Sequence, residues 1–106
     1  MAKIGIIGAG SWGIALSVLL HNNGHDVSVW SIIKEEIEML REKREHESKL
    51  PGVHLAEDIL FTDDLLEIAA DKDVLIMAVP SPYTRSTSKM LKGLVKEGQI
   101  IVNVAK

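Results

Sequence analysis

Apolar residues along this chain fall into two alternating patterns, short unbroken runs and longer stretches spaced three or four apart. Lys3 to Gly8 is an Ile-rich run of strand length. Ser11 to Asn23 follows with Ile14, Ala15, Val18 and Leu19 on one helical face, and Gly24 is a natural stop. Asp26 to Trp30 predicts a second strand. Ile33, Ile37 and Leu40 then mark the apolar stripe of a strongly charged helix reaching about His46, and Leu50-Pro51-Gly52 breaks it. Ile59 to Phe61 predicts a short third strand. Thr62-Asp63-Asp64 opens the next helix with a capping hydroxyl and two carboxylates suited to the positive helix end. Val74 to Val79 is a continuous apolar run, the pattern of a strand buried on both faces of a parallel sheet. Ser81-Pro82 starts a fourth helix with Pro in its first turn, and Gly98 leads into a last strand, Gln99 to Val104.

The order is β-α-β-α-β-α-β-α-β, which builds a parallel sheet with helices on its faces. One domain is expected over residues 1–106, because no linker, repeat or low-complexity tract divides the chain. At this length a chain can bury about two-thirds of its unfolded surface without staples. The absence of cysteine excludes disulfide frameworks, Cys-ligated metals and thiol catalysis. Twelve basic against fifteen acidic residues give a net charge of −3, which removes the footprint expected of a nucleic-acid binder. The amino-terminal apolar run is too short for a signal peptide or a membrane span, so a cytoplasmic address is expected. His21, His25, His46 and His54 have no metal-like spacing, and surface or packing roles are expected for them. The mixed charges from Lys34 to Lys49 read as a solvated helix face.

Chemistry concentrates in Gly8-Ala9-Gly10-Ser11-Trp12-Gly13, a GxGxxG string. The string closes a predicted strand and opens a predicted helix at the first βα turn, the context in which it binds dinucleotides. Gly8 permits the tight turn, Gly10 lets the backbone approach a pyrophosphate, and Gly13 lets the helix pack closely on the strand. The diphosphate then lies on free N–H groups at the positive helix terminus. Trp12 is open to two roles, a core aromatic or a shield over the cofactor. A site of this Rossmann type usually reads the adenosine ribose at the end of the second strand, with an acid for NAD or an arginine for NADP. Here that place holds Trp30-Ser31-Ile32-Ile33-Lys34, with no acid between Val27 and Lys34 and no arginine. Ser31 is the candidate polar contact, and Lys34 reads equally as a solvated helix residue.

The ordered set GAGSWG, NNGHDVSVW, LPGVHL (residues 50 to 55), AVPS (78 to 81) and VNVAK at the end of the chain resembles the bacterial glycerol-3-phosphate dehydrogenase family across essentially all 106 residues. That resemblance implies a cytoplasmic enzyme reducing dihydroxyacetone phosphate to sn-glycerol 3-phosphate with NADPH or NADH, for phospholipid synthesis. It implies that Ser11 and Trp12 contact the cofactor, that Pro80 lies in the turn near the nicotinamide, and that Lys106, matching the lysine of a VSKG motif, contacts both cofactor and substrate. The family's arginine after the strand-two Trp falls on Ile32 or Ile33, so neither NAD nor NADP is favoured. His46 and Lys49 stand where the family has Asn and Tyr, Ile14 where it commonly has Thr, and Ala105 where it commonly has Ser or Thr. The family's catalytic lysine and most of its substrate pocket belong to a helical second domain beyond Lys106, so no catalytic residue is assigned within this chain.

The expected architecture is therefore an α/β Rossmann domain with a doubly wound parallel sheet of order 3-2-1-4-5, lacking the helical second domain. It would bind NAD(P)H at the carboxyl ends of strands one and four. Alone it is expected to be inactive, with uncovered apolar surface around the last strand that favours self-association. A two-domain dehydrogenase of another kind, such as a ketopantoate reductase relative, and a free-standing nucleotide-binding or regulatory module are the alternatives.

Overall fold

The computed structural model describes residues 2–46, 52–79, 81–96 and 98–104. Five strands, β1 (Lys3–Ile7), β2 (Asp26–Trp30), β3 (Leu60–Thr62), β4 (Val74–Met77) and β5 (Ile100–Asn103), form one sheet of order β3-β2-β1-β4-β5. All four pairings are parallel, as expected from the alternation of elements. The intervening helices are α1 (Ser11–Asn22), α2 (Lys34–Lys43), α3 (Leu65–Ala69) and α4 (Ser81–Lys92). No helix among the described residues is long and apolar enough to cross a membrane.

The core is two layers divided by the sheet. Ile4, Ile6, Val27 and Val29 pack with Ile14, Ile37 and Leu40 on the side of α1 and α2. Ile7, Trp30, Leu75 and Met77 pack with Ile68, Ala69 and Leu91 on the side of α3 and α4. Successive residues of β1 thus feed opposite layers, which is why the central strands read as unbroken apolar runs.

Helix boundaries and faces differ from the sequence expectation where local chemistry intervenes. In α1 the buried residues are Gly13, Ile14 and Ser17, whereas Leu19 is exposed. The small side chains of Gly13 and Ser17 allow the closest approach to the sheet and so decide which face turns inward. The Ser17 hydroxyl is satisfied within the helix, donating to the Ile14 carbonyl at 2.6 Å. Ile33 is the exposed N-cap of α2 rather than part of its stripe. That helix ends at Lys43 instead of His46, because Arg44 adopts a left-handed conformation with φ 53°. Its guanidinium donates to the Ala56 and Ile59 carbonyls and lies 5.2 Å from the Phe61 ring centroid. These contacts offset the cost of positive φ in a non-glycine residue.

The charged run is consequently not a uniformly solvated face. Arg41 Nε donates to the Phe61 carbonyl, and Glu36 and His46 form a shielded pair. Lys49 and the Leu50-Pro51 break fall outside the described residues. β3 starts at Leu60, one residue later than expected. Thr62 is its last residue, and its Oγ1 accepts the Asp64 N–H, so the capping role falls to Asp64 alone. The Asp64 carboxylate accepts from the Leu66 and Glu67 N–H groups.

Because α3 has only five residues, its first turn depends on this cap. Asp64→Ala should lower stability by about 1 kcal/mol, read as a lower urea midpoint with an unchanged slope.

Candidate functional site

Parallel register aligns Ile7 with both Trp30 and Met77, so β1, β2 and β4 end together. Past that line, Gly8 N–H donates to the Trp30 carbonyl at 2.8 Å, and Ala78 N–H donates to the Ile7 carbonyl at 2.8 Å. β1 lies between β2 and β4, and the chain turns to opposite sides of the sheet after them. This is the switch point at which open α/β sheets bind ligands.

The three glycines of the motif have three different surroundings. Gly8 has φ +125°, and a Cβ there would lie 2.7 Å from the Ala78 carbonyl carbon and oxygen. At Gly13 a Cβ would collide with the Gly8 carbonyl oxygen. Gly10 is different, since a Cβ there would meet nothing within 4 Å. Gly8 and Gly13 are thus required by the fold, whereas the space over Gly10 is open.

Gly10 is also the N-cap of α1, and it supplies no side-chain cap; the first turn carries no acid. The positive end of a twelve-residue helix therefore faces the crevice without a counter-charge from its own first turn. Ser11 and Trp12 begin this helix, and Trp12 is 59% exposed, which removes it from the core.

Beside the glycine turn lies a cleft of about 190 Å³. Ile32 and Ile33 give it an exposed apolar wall, Val79 and Thr87 close it from the α4 side, and Ser31 and Glu36 supply polar groups. The Trp30 side chain also lines it, with a buried Nε1 that has no hydrogen-bond partner among the described residues. An open backbone approach, an uncapped helix end and an apolar wall together fit a dinucleotide whose diphosphate lies over Gly10.

Of the expected site residues, Gly8, Gly10 and Ser31 line the cleft, while Ser11, Trp12 and Gly13 form the start of α1 that follows Gly10. Pro80 and Lys106 fall outside the described residues. Glu36 lies outside the stretch from Val27 to Lys34, where the sequence pattern places a ribose-reading acid. Its signal was helical spacing: it stands four residues before Leu40 and therefore on the buried side of α2. The remaining histidines are held apart. His21 donates to Asp58 at 2.6 Å and His25 accepts the Ala2 N–H, while His54 is exposed. Among the described residues no group of three metal-ligating side chains forms.

The fold and this edge define a Rossmann-type dinucleotide-binding domain. Residues 3–106 match the family model described as NAD-dependent glycerol-3-phosphate dehydrogenase N-terminus, and the chain belongs to that family. Over all 106 residues it is 59% identical to a glycerol-3-phosphate dehydrogenase [NAD(P)+] of Agathobacter rectalis, and 54% identical to one of Fusobacterium nucleatum. In each case it spans 32% of the relative's length. A solved glycerol-3-phosphate dehydrogenase from Coxiella burnetii superposes with a TM-score of 0.94 at 26% identity, covering 99% of this chain and 32% of that one. Membership of this family displaces the ketopantoate reductase alternative.

Separate substitutions distinguish the glycine roles. Gly10→Val should leave the melting temperature nearly unchanged and abolish dinucleotide binding in a calorimetric titration. Gly13→Ala should instead destabilise the domain by about 1–3 kcal/mol, because the helix must move off the Gly8 carbonyl.

Proposed function

We propose that this chain is the dinucleotide-binding domain, residues 1–106, of a cytoplasmic enzyme that reduces dihydroxyacetone phosphate to sn-glycerol 3-phosphate with NAD(P)H, supplying phospholipid synthesis. The observation that carries this is the open N-terminus of α1 over Gly10, in a chain belonging to the glycerol-3-phosphate dehydrogenase family.

Within this proposal each residue has a bounded task. The backbone N–H groups at the start of α1 neutralise the diphosphate, and Gly10 leaves room for it. Trp12, exposed beside them, covers one side of the cofactor and excludes water. Ile32 and Ile33 offer apolar surface to the adenine. Pro80 shapes the turn beside the nicotinamide, and Lys106 reaches cofactor and substrate; both roles rest on the resemblance of AVPS and VNVAK to the family's motifs. The bound nicotinamide supplies hydride chemistry, for which this domain provides orientation and electrostatics.

The proton delivered to the forming alkoxide, and the pocket that fixes the substrate phosphate, are assigned to chain beyond this domain. β5 supports that division. All four of its residues are exposed, including Ile100 at 60%, and Ile100, Ile101 and Val102 form an apolar edge. A following domain packed on that edge would bury it; left bare, it favours self-association.

The decisive assay is NAD(P)H oxidation by dihydroxyacetone phosphate, run on this 106-residue chain and on the protein at its relatives' full length. Turnover should be confined to the longer protein. Substantial turnover by the short chain would overturn the division of labour, and absence from both would favour a binding or regulatory module. In the longer protein, Ile32→Arg or Ile33→Arg should raise the NADPH-to-NADH affinity ratio about tenfold or more, since a charge-assisted bond contributes roughly 1.5–3 kcal/mol.

A further inference from the structure

Glu36 is the one charged side chain among the described residues lining the cleft, and only 13% of its side chain is exposed. Its Oε1 accepts the Ser31 hydroxyl at 2.6 Å, and its Oε2 accepts from His46 Nε2 at 2.7 Å. Both partners are buried, with the His46 side chain 3% exposed. Ser31 follows the last residue of β2, where the ribose-reading acid of a NAD site ordinarily stands. The structure thus brings a carboxylate to that place from the first turn of the next helix.

From this we propose that Glu36 selects the cofactor: its carboxylate accepts the 2′-hydroxyl of the adenosine ribose and disfavours a 2′-phosphate, so that the protein binds NADH more tightly than NADPH. This rests on the dinucleotide-binding role of the cleft. An acid three residues after a helix N-cap commonly turns back to accept the N-cap N–H. Here the N-cap is Ile33, and its N–H donates instead to Ser31 Oγ at 3.1 Å. Ser31 takes over the capping task and donates its own O–H hydrogen bond to Glu36, which leaves the carboxylate as part of the cleft wall.

Donor and acceptor bookkeeping then sets the preference. A carboxylate offers about four acceptor positions, of which the two contacts above occupy one on each oxygen. The Ser31 hydroxyl proton is already committed to Glu36, so this pair presents acceptors only. A ribose 2′-hydroxyl, which donates, is matched. A 2′-phosphate, an anion that only accepts when ionised, meets a second anion with no Lys or Arg among the described lining residues to offset it. Holding the carboxylate from both sides limits its freedom to swing away, which makes the discrimination sharper than a mobile surface acid would give.

The test is calorimetric titration of the full-length protein with NADH and with NADPH, for the wild type, Glu36→Gln and Ser31→Ala. Wild-type protein should bind NADH at least about tenfold tighter than NADPH. Glu36→Gln should close most of that gap, chiefly by tightening NADPH, with the melting temperature recorded alongside. Ser31→Ala should narrow it less, because His46 still holds the carboxylate. Equal weakening of both cofactors by Glu36→Gln would assign the residue a structural role and overturn the proposal. Wild-type preference for NADPH would overturn it without any variant. Failure of wild-type protein to bind either dinucleotide would overturn the cofactor assignment itself, a result separable from an unchanged ratio between two that bind.

Discussion

Three backbone segments meet at the end of β1 with no room for a side chain between them, and the site depends on that contact. The Gly8 carbonyl bears on Gly13 of α1, while the α-carbon of Gly8 bears on the Ala78–Val79 backbone beyond β4. A methyl group at either glycine would force the helix or the strand away. Without the contact, the N-terminus of α1 would not be held over the crevice between β2 and β4, and its unpaired N–H groups would face bulk water. Close packing therefore has an electrostatic consequence: it points a helix dipole at one spot and keeps that spot open at Gly10.

The polar half of the cleft is built by a second constraint, the sharp end of α2. Arg44 turns the chain with positive φ and anchors it on the loop before β3, and His46 follows within two residues. His46 is thereby carried back against Glu36, one helix length earlier in sequence. A carboxylate this buried is costly unless its oxygens are paired, and the two hydrogen bonds supply that pairing. The arginine at the far end of α2 and the acid at its near end are thus parts of one arrangement.

The layout of the fold was legible because it depends on pattern. Strand runs and the glycine string each constrain several residues, and the order of the sheet follows from parallel crossovers. The glycine turn was legible for the same reason, as strand, motif and helix coincide within about ten residues. Features set by single side chains were less so. Leu19 was expected to be buried, but Gly13 and Ser17 turn α1 about its axis. The end of α2 was placed at His46, since nothing in a run of Arg, Glu and Lys announces that Arg44 will take a left-handed conformation. Glu36 is not legible from the end of β2, where the usual acid stands, although helical spacing sets it beside the buried stripe of α2. Trp12 is open to two readings in the sequence, and its exposure removes the core one.

Exposed apolar side chains have different meanings at the two ends of this structure. Ile32 and Ile33 stand together at a concave edge beside helix N–H groups and a carboxylate, so their surface is an apolar wall within a polar site. Ile100, Ile101 and Val102 lie consecutively on an edge strand, exposing both of its faces. Opposite-pointing neighbours cannot be covered by one flat ligand; covering them requires packing on two sides, together with something along the free backbone edge. Only a further body of polypeptide meets that demand. Under the proposed function the cleft takes a small molecule and the β5 edge takes protein, which is the division expected of a domain that holds a cofactor while another domain presents the substrate.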